Sequence, residues 1–283
     1  MRPKLIVNGD DLGRTESLTR GVMAAYEGGI LTSTSIVASS RHFDLAVDLA
    51  KAHPDLGVGV HLVVNEYAPV APPRDIPHLV NARGEFHSRP AALAKILLGR
   101  VPRAEIVREW QAQIARVVDA GLEPTHLDGH GHCHAVPPLA EVVAGLVARF
   151  GIPAVRLPAE RLSWRGVGGG LALKRHLEKG LLFGACLRPR ARWRGRLRHP
   201  DTFFGFMDAG RLSAAALEAV AYSLGPGVSE LMTHPALDNG DPPYGLDYDW
   251  RGDYDALFTW GKAEFEERFG VSLVSFRDAW GDA

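Results

Sequence analysis

The sequence predicts an α/β fold, a distorted (β/α) barrel similar to a TIM barrel, in a single domain over residues 1–283. Short β-branched and apolar runs alternate with longer segments of helical apolar spacing along the whole chain. The 283 residues suit one such barrel, which takes roughly 250 residues. No fixed-period repeat is apparent, so we exclude a solenoid.

The predicted elements follow from these runs in chain order. The first strand, Leu-Ile-Val, turns polar at Asn8, and the third is an apolar run flanked by glycines. Eight strands favour a closed or distorted barrel over an open sheet. They are predicted at residues 4–8, 32–38, 57–64, 124–128, 154–157, 202–205, 228–233 and 271–275. Helices are predicted at residues 16–27, 44–52, 103–120, 138–150, 214–222 and 254–268.

Two insertions interrupt the alternation. Residues 65–90, rich in proline and polar residues, are predicted to form a long loop after a strand, where barrels carry functional loops. Residues 160–199 contain a glycine-rich stretch near Gly170 and end with arginines at 188, 190, 192, 194, 196 and 198. An extended chain would place all six arginines on one side. A solvated loop is the first interpretation, and weak contact of residues 171–198 with a membrane surface is the alternative.

The composition limits the partners. A formal net charge of -1 gives no global field for attracting nucleic acid. The apolar run at the N-terminus is too short for a signal peptide or a spanning helix, so a cytoplasmic protein is expected. Cys133 and Cys186 cannot form a disulfide framework and are expected to be small buried apolar residues.

Two adjacent carboxylates, Asp10 and Asp11, close the first predicted strand. Like charges at short range repel each other, and a bound cation is the natural compensation. Because successive strand side chains point to opposite sides, one carboxylate can bind a metal while the other reaches the adjacent water. The alternative is that one of them caps the helix that begins near Glu16.

His61 lies in a predicted buried strand between apolar residues. A lone histidine there would be a satisfied core residue. A second group of histidines farther along the chain favours a metal-binding role instead.

Every even position between His126 and His134 carries a potential ligand. These residues are His126, Asp128, His130, His132 and His134. An extended chain would spread them over roughly 26 Å, at about 3.3 Å per residue, so only about two can share a metal. The glycines flanking His130 imply a turn, which puts His126 and His130 nearer the barrel mouth. His130 is the expected ligand, with His126 in reserve, and the other three are expected to contact the ligands or the substrate.

Two further residues, Arg156 and His234, stand at the predicted C-terminal ends of later strands. In a barrel all such ends face one pocket, so both are expected to join the carboxylates and the histidines there. The alternatives are a surface ion pair for Arg156 and a turn position before proline for His234.

Together these residues resemble the YdjC-like carbohydrate deacetylase family. Its members share an Asn-x-Asp-Asp strand end, a Gly-x-His-Leu strand and a Thr-His-x-Asp-x-His-x-x-x-His cluster, which match residues 8–11, 59–62 and 125–134. The resemblance covers nearly the whole chain. Residues 29–35, 156–158 and 203–206 are most similar to the hopanoid-associated branch. The chain departs from the family pattern at Gly9, where alanine is usual, and in the sequence Gly-His-Gly-His-Cys-His at residues 129–134.

The resemblance implies a barrel enzyme that removes acetyl groups from N-acetylated amino sugars with one divalent metal ion. By position, it implies three metal ligands: Asp11, His61 and His130. It also implies that Asp10 is the general base, that Arg156 orients Asp10, and that His234 protonates the leaving amine.

Several points stay open at this level. Histidine ligands favour zinc, but carboxylate and water also suit magnesium or another divalent ion. The substrate, a chitooligosaccharide or an amino-sugar glycolipid, is not readable, nor is the oligomeric state, with a homodimer as one option. The competing functions are another barrel metallohydrolase, such as a phosphoesterase, and a non-catalytic sugar-binding protein. The mixed Asp-His-His set and the second carboxylate favour amide hydrolysis over both.

Overall fold

The computed structural model describes residues 2–160, 170–240 and 248–281, with side chains from residue 176 onward in the helix that begins at Gly170. The strands are β1 (Lys4–Leu12), β2 (Ser33–Ile36), β3 (Gly57–Leu62), β4 (His126–Gly129), β5 (Ala154–Val155), β6 (Thr202–Phe204), β7 (Val228–Thr233) and β8 (Ser272–Leu273). The helices are α1 (Glu16–Gly28), α2 (Phe43–Ala52), α3 (Arg89–Leu97), α4 (Arg103–Asp119), α5 (Pro137–Phe150), α6 (Gly170–Trp193), α7 (Ala214–Ser223), α8 (Trp250–Leu257) and α9 (Lys262–Phe269). Two short 3-10 helices cover Pro73–Asp75 and His130–Ala135.

All strands of the sheet are parallel, in the order β5-β4-β3-β2-β1-β7-β6, with β8 also beside β1. Strand β7 covers one edge of β1 from Lys4 to Gly9. The other edge is shared, because β8 pairs with Lys4 and Leu5 and β2 pairs from Asn8 onward. This split edge is one source of the distortion of the barrel.

The two outer strands of the sheet approach each other. Isolated parallel bridges join Ala154 to Arg198 and Glu160 to Phe203, which connects the β5 end of the sheet to the β6 end. The sheet therefore curls into a distorted (β/α) barrel, which confirms the predicted fold class. Because all strands run the same way, their carboxyl ends meet on one side of the barrel.

Local sequence signals set several helix ends. The Thr15 side chain accepts a hydrogen bond of 3.1 Å from the Leu18 N–H and caps α1, so Asp10 and Asp11 are not the caps. Helix α5 begins at Pro137, whose missing N–H costs nothing in a first turn. It ends at Gly151 in the left-handed conformation that glycine adopts freely.

One helical prediction was wrong, and one helix was missed. The segment predicted as one helix over residues 254–268 is two helices, α8 and α9, separated by residues 258–261. Gly261 precedes α9 in an extended conformation, which interrupts the helical path. Helix α3 was not predicted, because it occupies only nine residues at the end of a polar loop.

The arginine-rich segment is helical up to Trp193, where a loop was predicted, and Arg194, Arg196 and Arg198 follow the helix in non-helical conformations. Arg188, Arg190 and Arg192 lie in α6, so their alternate spacing does not place them on one side. Glycines and Pro189 weaken helix propensity here, but packing of the buried Cys186 and Trp193 holds the segment. Residues 161–169 of the second predicted insertion lie outside the described residues. Across the described ranges, no helix combines the length and apolar composition needed to span a bilayer.

Candidate active site

The carboxyl ends of the strands bring the predicted site residues to one place. Asp10 and Asp11 belong to the end of β1, and His61 is the fifth residue of β3. The remaining three follow their strands directly or within one residue: His130 after β4, Arg156 after β5 and His234 after β7. Arg156 is completely buried, so it is not a surface ion pair.

Asp11 has a backbone conformation that breaks the alternation expected along β1. Its φ of 63° is in the left-handed region, and the pairing of β1 with β2 shifts register between Gly9 and Leu12. Asp10 and Asp11 therefore do not diverge to opposite sides as predicted. Each belongs to a buried cluster that also contains His61. A non-glycine residue in this conformation costs free energy, and such positions are concentrated at functional sites.

Two histidines direct one ring nitrogen each at the Asp11 carboxylate. The Oδ1 atom of Asp11 lies 3.0 Å from Nδ1 of His130 and 3.4 Å from Nε2 of His61. Asp11, His61 and His130 each offer one ligand atom, and these three atoms lie within 4.8 Å of one another. All three side chains are buried.

The second nitrogen of each ring is held by another carboxylate. Nδ1 of His61 lies 2.9 Å from Oδ1 of Asp128, and Nε2 of His130 lies 3.2 Å from Oε2 of Glu66. The Ser35 hydroxyl donates a hydrogen bond of 2.8 Å to Asp128 and fixes that carboxylate. A ring nitrogen that donates to a carboxylate leaves the other nitrogen with a lone pair for a metal.

The charges of the site favour a bound cation. Among the described residues, four carboxyl groups are almost completely buried here, those of Asp10, Asp11, Asp128 and Glu230. Three of them contact the buried guanidinium of Arg156, and Asp11 lies 3.7 Å from the partly buried Arg14. Burial opposes ionisation of Asp11, but His130 and His61 hold its pKa well below the usual value. Burial also opposes charge on His61, yet Asp128 and Asp11 raise its pKa to about 9. One carboxylate and two carboxylate-oriented imidazoles form a donor set that fits a divalent metal ion.

Arg156 connects three of these carboxyl groups. Its Nη1 and Nη2 atoms donate hydrogen bonds of 2.6 Å to the two oxygens of Asp10. Nη1 also lies 3.0 Å from Asp128, and Nε donates to Glu230 at 2.8 Å. Asn8 adds a hydrogen bond of 2.8 Å to Asp10. The two terminal nitrogens of the guanidinium therefore fix the orientation of the Asp10 carboxylate.

Among these carboxyl groups, Glu230 has the negative charge that is least balanced by neighbouring donors and positive groups. Burial raises the pKa of Glu230 to about 8, against the opposing effect of Arg156. Within the described part of the chain, its Oε2 atom has no hydrogen-bond partner. Burial likewise opposes ionisation of Asp128, but Arg156 and His61 hold the pKa of Asp128 far below its usual value.

His234 lies on the loop after β7, and Asp253 of α8 positions it. The backbone N–H of His234 donates a hydrogen bond of 3.0 Å to Asp253, and its ring lies parallel to Trp250 at 6.2 Å. The other Asp253 oxygen accepts from the Leu212 N–H at 3.0 Å. Burial lowers the pKa of His234, although Asp10 and Asp11 oppose this shift, so the imidazole is mainly neutral at pH 7. Burial raises the pKa of Asp253 to about 7.

The other histidines of the cluster have different surroundings. His126 stacks on Phe276 at 3.7 Å and packs under Gly59, so the prediction that it lies near the barrel mouth was wrong. It is two residues before Asp128 on the same side of β4, deeper in the barrel. Burial lowers the pKa of His126 to about 3.

His132 and His134 are turned inward by the 3-10 helix. Gly131 and His132 have φ values of 55° and 60°, which reverse the chain immediately after His130. The His132 ring contacts Phe203 and Phe206 at 5.4 and 5.8 Å, and burial lowers its pKa well below the usual value. Nε2 of His134 lies 3.0 Å from the carbonyl oxygen of Arg156 and supports the backbone of that residue.

Besides Ser35, which holds Asp128, four further residues of the site were given no role in the sequence analysis. Glu66 and Tyr67 come from the loop after β3, and the Tyr67 hydroxyl lies 3.3 Å from Asp11. Glu230 could have been found, because it is a charged residue inside the otherwise buried strand β7. Asp253 is one acidic residue in an amphipathic helix and gave no such signal.

Comparisons with known proteins agree on the family. The profile of the YdjC-like protein family matches residues 4–261. A carbohydrate deacetylase from Brevibacillus brevis is 41% identical over 155 residues, which cover 55% of this chain and 59% of that protein. The chain thus matches less than two thirds of the length of this relative. A carbohydrate deacetylase from Mus musculus is 30% identical over 263 residues, which cover 86% of this chain and 81% of that protein.

A solved structure gives the same result for the fold. It is an Enterococcus faecalis protein for which cellobiose-phosphate cleavage has been suggested, with a TM-score of 0.73 and 26% identity over 98% of each chain. Because the family profile matches residues 4–261, nearly the whole chain, the chain belongs to the YdjC-like protein family.

Proposed function

We propose that this protein is a metal-dependent carbohydrate deacetylase that hydrolyses the N-acetyl group of an amino sugar and releases acetate. The observation that carries the proposal is the convergence of His61 Nε2 and His130 Nδ1 on Asp11, beside the separate pair of Asp10 and Arg156. Relatives named carbohydrate deacetylase support the reaction type.

Asp11, His61 and His130 hold one divalent metal ion in this proposal, with Asp128 and Glu66 orienting the two imidazoles. Zinc is the first candidate because two of the three ligands are imidazoles, and magnesium or another divalent ion is the alternative. When bound, the ion supplies Lewis-acid polarisation of the acetyl carbonyl and lowers the pKa of water.

Asp10 acts as the general base. Its carboxylate is held by Arg156 and Asn8, and Asp10, His61 and Asp128 form a second buried cluster beside the proposed metal ligands. A carboxylate fixed in this position accepts the proton of the attacking water without having to reorient. Arg156 acts through Asp10 as a positioning residue.

His234 donates a proton to the departing amine. An amide nitrogen leaves only after protonation, so the reaction needs an acid on the leaving-group side. Burial lowers the pKa of His234, so its protonated form is the minor one at pH 7. This form takes its proton from solvent and gives it to the amine nitrogen as the C–N bond breaks, and Asp10 then releases the proton of the attacking water to solvent. Asp253 holds the backbone of His234 in place during this step.

The substrate in this proposal is an N-acetylglucosamine-type sugar. Phe206, which is partly exposed and contacts the buried His132, provides an apolar ring beside the site that suits the face of a sugar. A chitooligosaccharide and an amino-sugar glycolipid both provide the acetyl group. The similarity to the hopanoid-associated branch favours the glycolipid.

The proposal is tested by measuring acetate release from N-acetylglucosamine oligomers. We expect turnover that stops on treatment with a chelator and returns when zinc or magnesium is added. Release of phosphate from phosphoesters instead of acetate would identify a different metallohydrolase. Tight sugar binding without turnover by the fully metal-loaded protein would identify a binding protein.

A further inference from the structure

We propose that a surface formed by helices α3 and α6 docks this protein on an anionic lipid membrane. We call this surface the α3–α6 face. It consists of Leu97, Leu98, Leu177, Leu181, Leu187 and Arg188.

The apolar part of this face is concentrated. Its five leucines are all more than half exposed, up to 76% for Leu181, and they make up most of the strongly exposed large apolar side chains in the described residues. Leu177 and Leu181 are one helical turn apart and therefore point the same way from α6. Scattered exposed leucines are ordinary, but a contiguous apolar patch marks an interaction surface.

A groove joins the α3 and α6 parts of the face. This cavity, of about 410 Å³, is lined by Leu97 at the end of α3, by Arg188 and Arg192 near the end of α6, and by Pro137 at the start of α5. The groove brings Leu97 next to Arg188, and Leu177, Leu181 and Arg188 share one side of α6 because they are four and seven residues apart.

The charge around the leucines is positive. Six arginines and no acidic residue lie between residues 180 and 200, although the formal net charge of the whole chain is -1. Glu141 pairs with Arg192 and, at 3.6 Å, with Arg103, so these two arginines are partly neutralised. Arg188, Arg194 and Arg196 remain exposed.

Leucines mixed with arginines match a bilayer surface with anionic headgroups. The arginines pair with lipid phosphates while the leucines enter the boundary with the acyl chains. Nucleic acid offers no partner for the exposed leucines. A two-fold dimer through this face would bring the same arginines against each other.

The face lies on the same side of the barrel as the candidate active site. A helix between parallel strands runs antiparallel to them, so α4 and α5, whose first residues line the groove, begin where the strands end. Lys179 of α6 forms a buried ion pair of 2.7 Å with Glu160, which follows β5. The other Glu160 oxygen accepts a hydrogen bond of 2.8 Å from the Phe206 N–H. Docking would therefore hold the site beside the headgroups.

The test is sedimentation of the full chain with vesicles at low ionic strength. One set of vesicles contains phosphatidylcholine alone, and the other also contains phosphatidylglycerol. We expect binding to the anionic vesicles only, weakened by salt. Arg188→Gln should weaken it roughly fivefold, and Leu181→Asp roughly tenfold or more.

Two variants elsewhere serve as matched controls. Tyr222→Asp changes an equally exposed apolar side chain on α7, and Arg20→Gln removes an exposed arginine from α1. Both should bind like the unaltered protein. The proposal fails if the protein ignores anionic vesicles, or if binding survives Leu181→Asp and Arg188→Gln unchanged. It also fails if ultracentrifugation shows a dimer that Leu181→Asp dissociates.

Discussion

The guanidinium of Arg156 donates hydrogen bonds of 2.6 Å to both carboxylate oxygens of Asp10, and the exposed fraction of each side chain is no more than 3%. Bidentate pairs of this kind fix direction as well as distance. Asp10 is therefore held in one orientation, beside but separate from the group of Asp11, His61 and His130. The arrangement separates a proton acceptor from a set of metal donors, although the two aspartates are adjacent in the chain.

Asp10→Asn tests this division of roles. Asparagine keeps the size of the side chain but is not a base, so we expect acetate release to fall by about 10²- to 10⁴-fold. Metal content, measured by elemental analysis, should stay normal because the three donors are intact. His61→Ala is the comparison variant, and it should lose the metal. Near-normal turnover by Asp10→Asn would contradict the general-base assignment.

Much of the site could be predicted because parallel strands end on one side of a barrel. Asp10, Asp11, His61, His130 and Arg156 all sit at or next to such ends, and an apolar run that stops at a polar residue is visible in sequence. The alternation rule failed at Asp11, where the left-handed backbone redirects the side chain. That conformation depends on tertiary structure and leaves no pattern in the residues.

Residues on loops and in weak helices were not predictable in the same way. Glu66 and Tyr67 reach the site from an irregular segment without periodicity. Helix α6 exists because Cys186, Trp193 and the buried Lys179 pack inward, whereas its glycines and proline indicate a loop. His126 was misplaced because its position along β4 determines its depth in the barrel, which spacing alone does not define.

The carboxylates behind the two imidazoles should control metal affinity. Glu66→Gln and Asp128→Asn each replace a charged acceptor by a neutral one, so the orientation of His130 or His61 becomes weaker. We expect each change to lower affinity roughly 10-fold or more. The measurement is competition between the metal-stripped protein and a chelator for zinc. Glu85→Gln, an exposed residue of the same loop, is the control and should leave affinity unchanged. Unaltered affinity in both site variants would refute the orienting role.

Glu230 should make stability dependent on pH. Its pKa is about 8 in the folded protein, raised by burial from an ordinary value of 4.5. Between these values the folded protein keeps a proton that the unfolded chain releases. The free energy of unfolding therefore falls as pH rises, by up to about 1.4 kcal/mol per pH unit. Glu230→Gln cannot titrate and retains an acceptor for Arg156, so it should remove the contribution of Glu230 to this slope. The slope that remains comes from other groups with raised pKa values, such as Asp253 and His61.

The slope is measured by urea unfolding across that pH interval, with a chelator present so that metal binding adds no pH dependence of its own. Glu264→Gln on the exposed side of α9 is the control and should keep the slope. If the unaltered protein and Glu230→Gln give parallel curves, Glu230 does not hold a proton in the folded state.

Removing the His234 imidazole should slow hydrolysis more for a leaving group that needs a proton than for one that does not. The amine of an acetylated sugar leaves only when protonated, whereas para-nitrophenolate leaves an acetate ester without help. We therefore expect His234→Ala to slow amide hydrolysis by about 10²- to 10⁴-fold and ester hydrolysis far less. The rates are measured as acetate release from N-acetylglucosamine oligomers and nitrophenolate release from para-nitrophenyl acetate.

Asp10→Asn is the matched control for this comparison, because activation of water is required for both substrates and both rates should fall together. The ring of His234 lies beside Trp250, so a purely structural role is the competing explanation for any loss. Such a role would lower the two rates by the same factor. Loss of a proton donor slows amide hydrolysis more than ester hydrolysis. Equal losses of both rates in His234→Ala would therefore assign His234 to positioning the substrate.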